Sequence, residues 1–280
     1  MASHLALSPS TATILTPLSF IYNLSAQFYG LFSTPNMKDV NDANLSVFSP
    51  QPYMVALFFF PMQVAQALWI GRLWKVVRRE REGGAGGGDG RDGSEMGAYA
   101  GVLVVGNACV GTWLFFWNSS HLALSNIFVA ITLLTHLLYL TTALPPLRRS
   151  SPSSLLTHVV AKTYTGISVL DLLHNTSAAY FAGLAAPTGA VRVLTGLGFA
   201  VGAALSDWML GACLVYDLAA FSVGQRGRED GGVQSREWSH VLGWFCLGTA
   251  AVVLVRNLCR PPYSEERGDY TRIQEDDEGI

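Results

Sequence analysis

Apolar residues along the chain gather into blocks of membrane-spanning length separated by short polar breaks, without the strict alternation of a half-buried strand. The first block, Ile14–Phe32, is the most dilute, broken by Pro17, Asn23, Ser25 and Gln27. The second, Tyr53–Trp74, holds Pro61 at its centre, where a missing backbone N–H predicts a kink. The third and fourth, Gly97–Trp117 and Leu122–Leu144, are joined by Asn118 to His121 alone and read as an antiparallel hairpin. The fifth, Leu155–Leu184, is longer than a perpendicular crossing needs, which predicts tilt or a projecting end. Apolar sequence then runs from Val191 to Gly224, and Ser206-Asp207 divides it into two short helices, Gly189–Leu205 and Trp208–Gly224; the last block is Trp238–Val255. About 20 apolar residues cross a bilayer core. The pattern therefore predicts an all-α, polytopic transmembrane helical bundle of eight spans, or seven if Val191–Gly224 is one long helix.

The breaks set the organisation. Residues 1–74 form an N-terminal segment with two spans, and 75–96, rich in glycine and charge, reads as a disordered cytoplasmic linker. Residues 97–257 form a six-span bundle and 258–280 an acidic cytoplasmic tail. Lys and Arg place the loops: Arg72, Lys75, Arg78, Arg79, Arg81 and Arg91 follow the second span and Arg148 and Arg149 the fourth, which puts both loops and the N-terminus in the cytoplasm. Arg226, Arg228 and Arg236 fall in a loop that eight spans would place outside, against the trend.

Composition narrows the class. Half of the 280 residues are hydrophobic and 14% are charged, against roughly 25% charged in soluble domains. The net charge of −2, with no basic patch, argues against nucleic acid as a partner, so the lipid bilayer is the expected one. No positively charged segment precedes the first apolar run, so no removable signal peptide is expected. The destination is an endomembrane or the plasma membrane. Asn44-Leu45-Ser46 is a glycosylation sequon in the expected outer loop, Tyr270 to Ile273 has the tyrosine-plus-apolar spacing of a sorting signal, and Cys259 lies between Arg256 and Arg260 where palmitoylation occurs. Cys109, Cys213 and Cys246 lie within apolar blocks and read as small hydrophobes.

The candidate chemistry lies in the fifth block. Tyr164, Ser168, Asp171, Asn175, Ala178 and Ala182 are spaced 4, 3, 4, 3 and 4, which at about 100° per residue puts them on one face, with His174 at its edge. Lys162 lies about 180° from Asp171 and near the cytoplasmic end, where it is expected to snorkel. Asp217, in "LVYDLAA", is a second mid-span acid, and Asn107 a mid-span amide. Charges at such depth usually face the bundle interior and mark a pathway or site. Asp171, His174, Asn175, Asp217, Asn107 and Tyr164 are thus candidates for a ligand site or proton relay, with interhelical packing as the competing reading. Gly97-x-x-x-Gly101 and Gly198-x-x-x-Gly202 are candidate close approaches, and Trp113 and Trp117 fit an interfacial aromatic belt. An intramembrane aspartyl protease would need a Gly-x-Gly-Asp partner for Tyr216-Asp217, which no later span supplies. Histidines without ligand spacing imply no metal, and the sequence implies no cofactor, GxSxG or Walker motif.

The segments "FSPQPYMVALFFFPMQVAQALWI" and "GNACVGTWLFFWNSSHLALSNIFVAITLLTHLLYL" resemble the tryptophan-rich sensory protein / translocator protein superfamily. With "ILTPLSF" and "SDWMLGACLVYDLAAFSVGQ", the chain also resembles a fungal family of multi-pass membrane proteins of unknown function. The resemblance implies an all-helical bundle with a pocket for tetrapyrroles or sterols, although translocator proteins have fewer helices. Together these readings lead to a non-enzymatic multi-pass protein that binds or transports a small hydrophobic or amphipathic ligand. The alternatives are a structural or trafficking component and a proton-coupled transporter.

Overall fold

The structure, a computed structural model, describes residues 7–82, 91–184, 186–228 and 232–259. Among the described residues all regular structure is helical: α1 (Pro9–Phe32), α2 (Met37–Ala43), α3 (Pro52–Arg81), α4 (Arg91–Asn118), α5 (Leu122–Thr142), α6 (Pro152–Tyr180), α7 (Gly189–Leu205), α8 (Trp208–Arg226) and α9 (Gly232–Cys259). Side chains mark the starts. Ser8, Gln51, Ser151, Thr188 and Asp207 each accept a backbone N–H of the turn that follows, satisfying a donor the helix leaves free. The short α2, absent from the apolar pattern, is closed by a capping box between Asn36 and Asp39.

Five helices, α3, α4, α5, α8 and α9, are long and apolar enough to cross a membrane. That number falls short of eight because α1 and α6 are long but too polar, and α7 has 17 residues. Of the expected linker 75–96, its first residues through Arg81 belong to α3 and those from Arg91 onward to α4, while 83–90 lie outside the described residues.

Paired contacts fix the directions. Asn23 meets Asn107 and Gly30 meets Asn118, Tyr164 meets Asn107 and Asn175 meets Trp113, and Lys162 meets Asp207 and Gly166 lies against Cys213, so α1, α4, α6 and α8 run one way. Trp74 with Thr13 and Arg81 with Ser10, His136 with Tyr164 and Ser125 with Asn175, and Ser239 with Ser222 and Val253 with Gly211 set α3, α5 and α9 the opposite way. Four helices, α3, α4, α5 and α8, pack around α6, which is buried on nearly every side.

Polarity is arranged inside out. The buried residues of α1 are Ala12, Thr16, Ser19, Asn23, Ala26 and Gly30, all small or polar, while Ile14, Leu18, Ile21, Phe28 and Leu31 are exposed. A soluble helix would bury the second set. In lipid, apolar side chains gain nothing by leaving the surface, and small or hydrogen-bonding residues make the helix contacts.

Tight approaches occur at glycines other than those expected. Gly97 and Gly198 face open space, whereas a Cβ at Gly106 would lie 2.3 Å from His136 Cε1, at Gly111 2.5 Å from the Tyr22 ring, and at Gly166 2.3 Å from Cys213 Cβ. Of the expected pairs, a Cβ at Gly202 would lie 3.1 Å from Leu214 Cδ1, and Gly101 is buried. Beyond α2, residues 45–51 fold back over the bundle end. The Val47 carbonyl accepts the Trp238 indole N–H at 2.7 Å, the Ser46 carbonyl accepts Gln225 Nε2 at 2.9 Å and an Arg228 N–H at 2.6 Å, and Phe48 packs edge-on to Phe221 and Trp238.

Candidate functional site

The seam predicted on the fifth block is realised on α6, but its members face different neighbours. Tyr164, Ser168, Asp171, Asn175 and Ala178 are buried, while Ala182 lies beyond the helix end and is exposed. Tyr164 donates its hydroxyl to Asn107 Oδ1 at 3.1 Å, and the same oxygen accepts Asn23 Nδ2 at 2.9 Å, so one amide of α4 ties α1 to α6. Asn175 Oδ1 accepts from Trp113 Nε1 at 2.9 Å and Ser125 Oγ at 2.7 Å, and its Nδ2 donates to the Leu122 carbonyl at 3.1 Å. Trp113 and Trp117 are therefore interior residues, not an interfacial belt; Trp117 donates to the Met37 carbonyl and lies 5.0 Å from the His174 ring.

Asp171, on the same face, is buried, and α8 carries a second buried acid, Asp217. Asp217 is wholly buried, and neither of its carboxyl oxygens has a hydrogen-bond partner. His174 Nε2 is likewise buried without one.

Lys162 does not snorkel. It is buried, and its ammonium contacts Asp207 and, at 2.7 Å, His158 Nδ1, while His158 Nε2 meets the Pro145 carbonyl at 3.0 Å. Burial pushes the Asp207 carboxyl upward, but the hydrogen bond and charge of Lys162, joined by the Leu210 amide, outweigh it and hold the group below its usual range. The residue that breaks the apolar run thus caps α8 and fixes α7 and α8 to α6. Its partner could have been sought among the few cations inside apolar blocks, of which Lys162 is one.

Two further groupings have no signal in any single helix. Tyr139, Tyr99, His136 and Tyr164 form a continuous column with successive ring-centroid separations of 5.0, 6.1 and 4.3 Å, with Trp69 against Tyr99 at 5.5 Å. The Tyr99 and Tyr139 hydroxyls, His136 Nε2 and the Gln66 amide are buried and have no hydrogen-bond partner among the described residues. At the column's end, Arg148 bridges Asp92 at 2.7 Å and Glu95 at 3.1 Å.

On the flank, α3, α6 and α8 enclose a cleft of about 230 Å³ walled by Leu57, Phe58, Pro61, Met62, Ala65, Val159, Thr163 and Tyr216. Leu57 is 67% exposed, so the cleft opens on the outer surface of the bundle. The Tyr216 hydroxyl is engaged with the Met54 carbonyl at 2.8 Å. Pro61 has no N–H to give the Leu57 carbonyl, leaving one backbone acceptor in an apolar wall.

The modification candidates are placed as follows. Asn44 is half-buried and its amide donates to the Val40 carbonyl, while Ser46 of the same sequon is wholly buried against Ser177. Cys259 is exposed at the end of α9, and Tyr270 and Ile273 lie outside the described residues. These features define a membrane-embedded helical bundle with a polar interior. No family model, curated protein or solved structure matches the chain.

Proposed function

We propose that this chain is a non-enzymatic multi-pass membrane protein that crosses the bilayer eight times with both ends in the cytoplasm and takes a small hydrophobic or amphipathic ligand from the lipid phase. The observation that carries this reading is the lateral cleft beside Pro61. Its volume of about 230 Å³ is below the roughly 300–1,000 Å³ of sites that enclose a drug-sized molecule. It suits a length of hydrocarbon chain or a small ring system, with the rest of the ligand left in lipid. The Leu57 carbonyl favours a ligand carrying one hydroxyl on an otherwise apolar body.

The eight-crossing part rests on the alternating directions of the long helices and on Arg228. That residue is buried and spends its guanidinium on the Ser46 and Leu184 carbonyls, so it is a structural residue and not a marker of the cytoplasmic side. A purely structural role is the reading favoured for Asn175, whose amide is committed to three protein partners.

The test is photolabelling of the reconstituted protein with a diazirine-bearing long-chain alcohol, read by peptide mass spectrometry. Adducts are expected on the Leu57 to Ala65 and Val159 to Thr163 segments, and Ala65→Trp, which fills the cleft, should abolish them. Labelling spread over all exposed helices and unchanged by Ala65→Trp would remove the cleft as a ligand site.

A further inference from the structure

The last turns of α3 carry positive charge that the bundle does not answer. Arg72 donates to Ser153 in the first turn of α6, so α3, which continues to Arg81, runs past the end of that helix. Arg79 lies seven residues after Arg72, two turns and about 10 Å further along the same side of α3, and Lys75 lies one turn before it. Both are exposed, as is Arg149 in the loop leading into α6, and none of the three makes an ion pair with a described residue.

The other charges at this end are committed. Arg78 pairs with Glu82, and Arg81 donates to Ser10 of α1. Arg148 takes Asp92 and Glu95, and Glu80 lies against Gly93 of α4. Among the described residues, Lys75, Arg79 and Arg149 therefore have no acid opposite them.

The chain itself supplies acids at the same end. The α9 helix runs in the direction of α3, and past the Val253 to Gly211 contact it continues to Cys259, so residue 260 leaves the bundle at the end where α3 projects. Residues 260–280 hold seven acids against three arginines, and Glu275, Asp276, Asp277 and Glu278 are consecutive. Glu275 is sixteen residues beyond Cys259, a reach of roughly 50 Å when extended. One exposed ion pair is worth little, but adjacent carboxylates tethered to the chain that carries the cations meet them together and at high effective concentration. From this charge complementarity we propose that the acidic segment from Glu275 to Glu278 docks on the projecting end of α3, against Lys75 and Arg79, and so straps the end of α9 to α3. The docking rests on the directions of α3 and α9 and stands apart from the lateral cleft and from the number of crossings.

Carbodiimide coupling of the full chain in phosphatidylcholine nanodiscs tests this, because it joins a carboxylate to an amine only where the two meet. Of the three lysines, Lys38 lies on α2 at the opposite end and Lys162 is buried, so Lys75 is the reporter. Mass spectrometry should find a peptide joining Lys75 to one of the residues from Glu275 to Glu278. Its yield should fall several-fold in about 1 M salt, where the screening length is about 3 Å, and in Arg79→Glu, which leaves both reacting groups in place. Coupling of Lys75 to Glu80 or Glu82 alone, or a tail adduct unchanged by salt and by Arg79→Glu, overturns the proposal. If the tail adduct is missing and phosphatidylserine added to the nanodiscs shields Lys75 from an amine-acylating reagent, the face belongs to anionic lipid headgroups instead.

Discussion

At Asn175 a single side chain joins α6 to α4 and α5, and the arithmetic of removing it is unfavourable at every partner. Asn175→Leu strands the Trp113 indole N–H, the Ser125 hydroxyl and the Leu122 carbonyl, each buried. An unpaired buried group costs about 1–3 kcal/mol. Interhelical hydrogen bonds in membranes are each worth less, about 0.6 kcal/mol on average. A loss of about 1–3 kcal/mol in total is expected, read by denaturant unfolding in detergent, whereas Thr176→Val on the same turn, which gives up one contact to Asn126, should cost less than half as much. The polar seam itself is legible in the sequence, since the 4, 3, 4, 3 spacing places its residues on one face. Which neighbour each residue meets is not legible, because the rotation of α6 is set by Gly106, Gly166 and the other helices, and Tyr164 meets Asn107 of α4 while Asn175, on the same face, meets both α4 and α5.

Among elements, the α6 and α8 pair depends on a missing side chain. An added Cβ at Gly166 would stand 2.3 Å from Cys213 Cβ, far inside non-bonded carbon contact, so Gly166→Ala must push the helices apart. Overpacking of this kind costs about 1–3 kcal/mol. The double variant Gly166→Ala with Cys213→Gly should recover most of the loss, and a double-mutant cycle on unfolding free energies checks the coupling; additive losses would mean that the two residues are not the contact point. The helix boundaries near Leu122, Gly189 and Trp208 are readable from the apolar blocks. The Gly-x-x-x-Gly pairs mislead because that motif says only that approach is allowed, and at Gly97 and Gly198 no helix takes the offer. Likewise α2 is short and polar, and its Asn36 to Asp39 capping box is local chemistry that a search for membrane-length blocks passes over.

Over the whole molecule, the proposed eight crossings predict that accessible tags on the two termini report the same side, and the Lys and Arg distribution predicts that this side is the cytoplasm. Tags protected on opposite sides in intact cells would rule out an even number of crossings. Burial of Arg228 sharpens the expectation, since Arg228→Gln should lower stability without inverting the tags.

The inside-out face of α1 also bears on how the protein is made. Asn23 and the small residues around it find their partners on α4, and Asn107 is 84 residues further along the chain. While the ribosome is still making α3, nothing yet exists to receive that stripe, and α1 is too polar to be a stable solitary span. If α1 is one of the proposed crossings, its place in the membrane depends on a later helix, and truncating synthesis before α4 should leave α1 to quality control rather than to the bilayer.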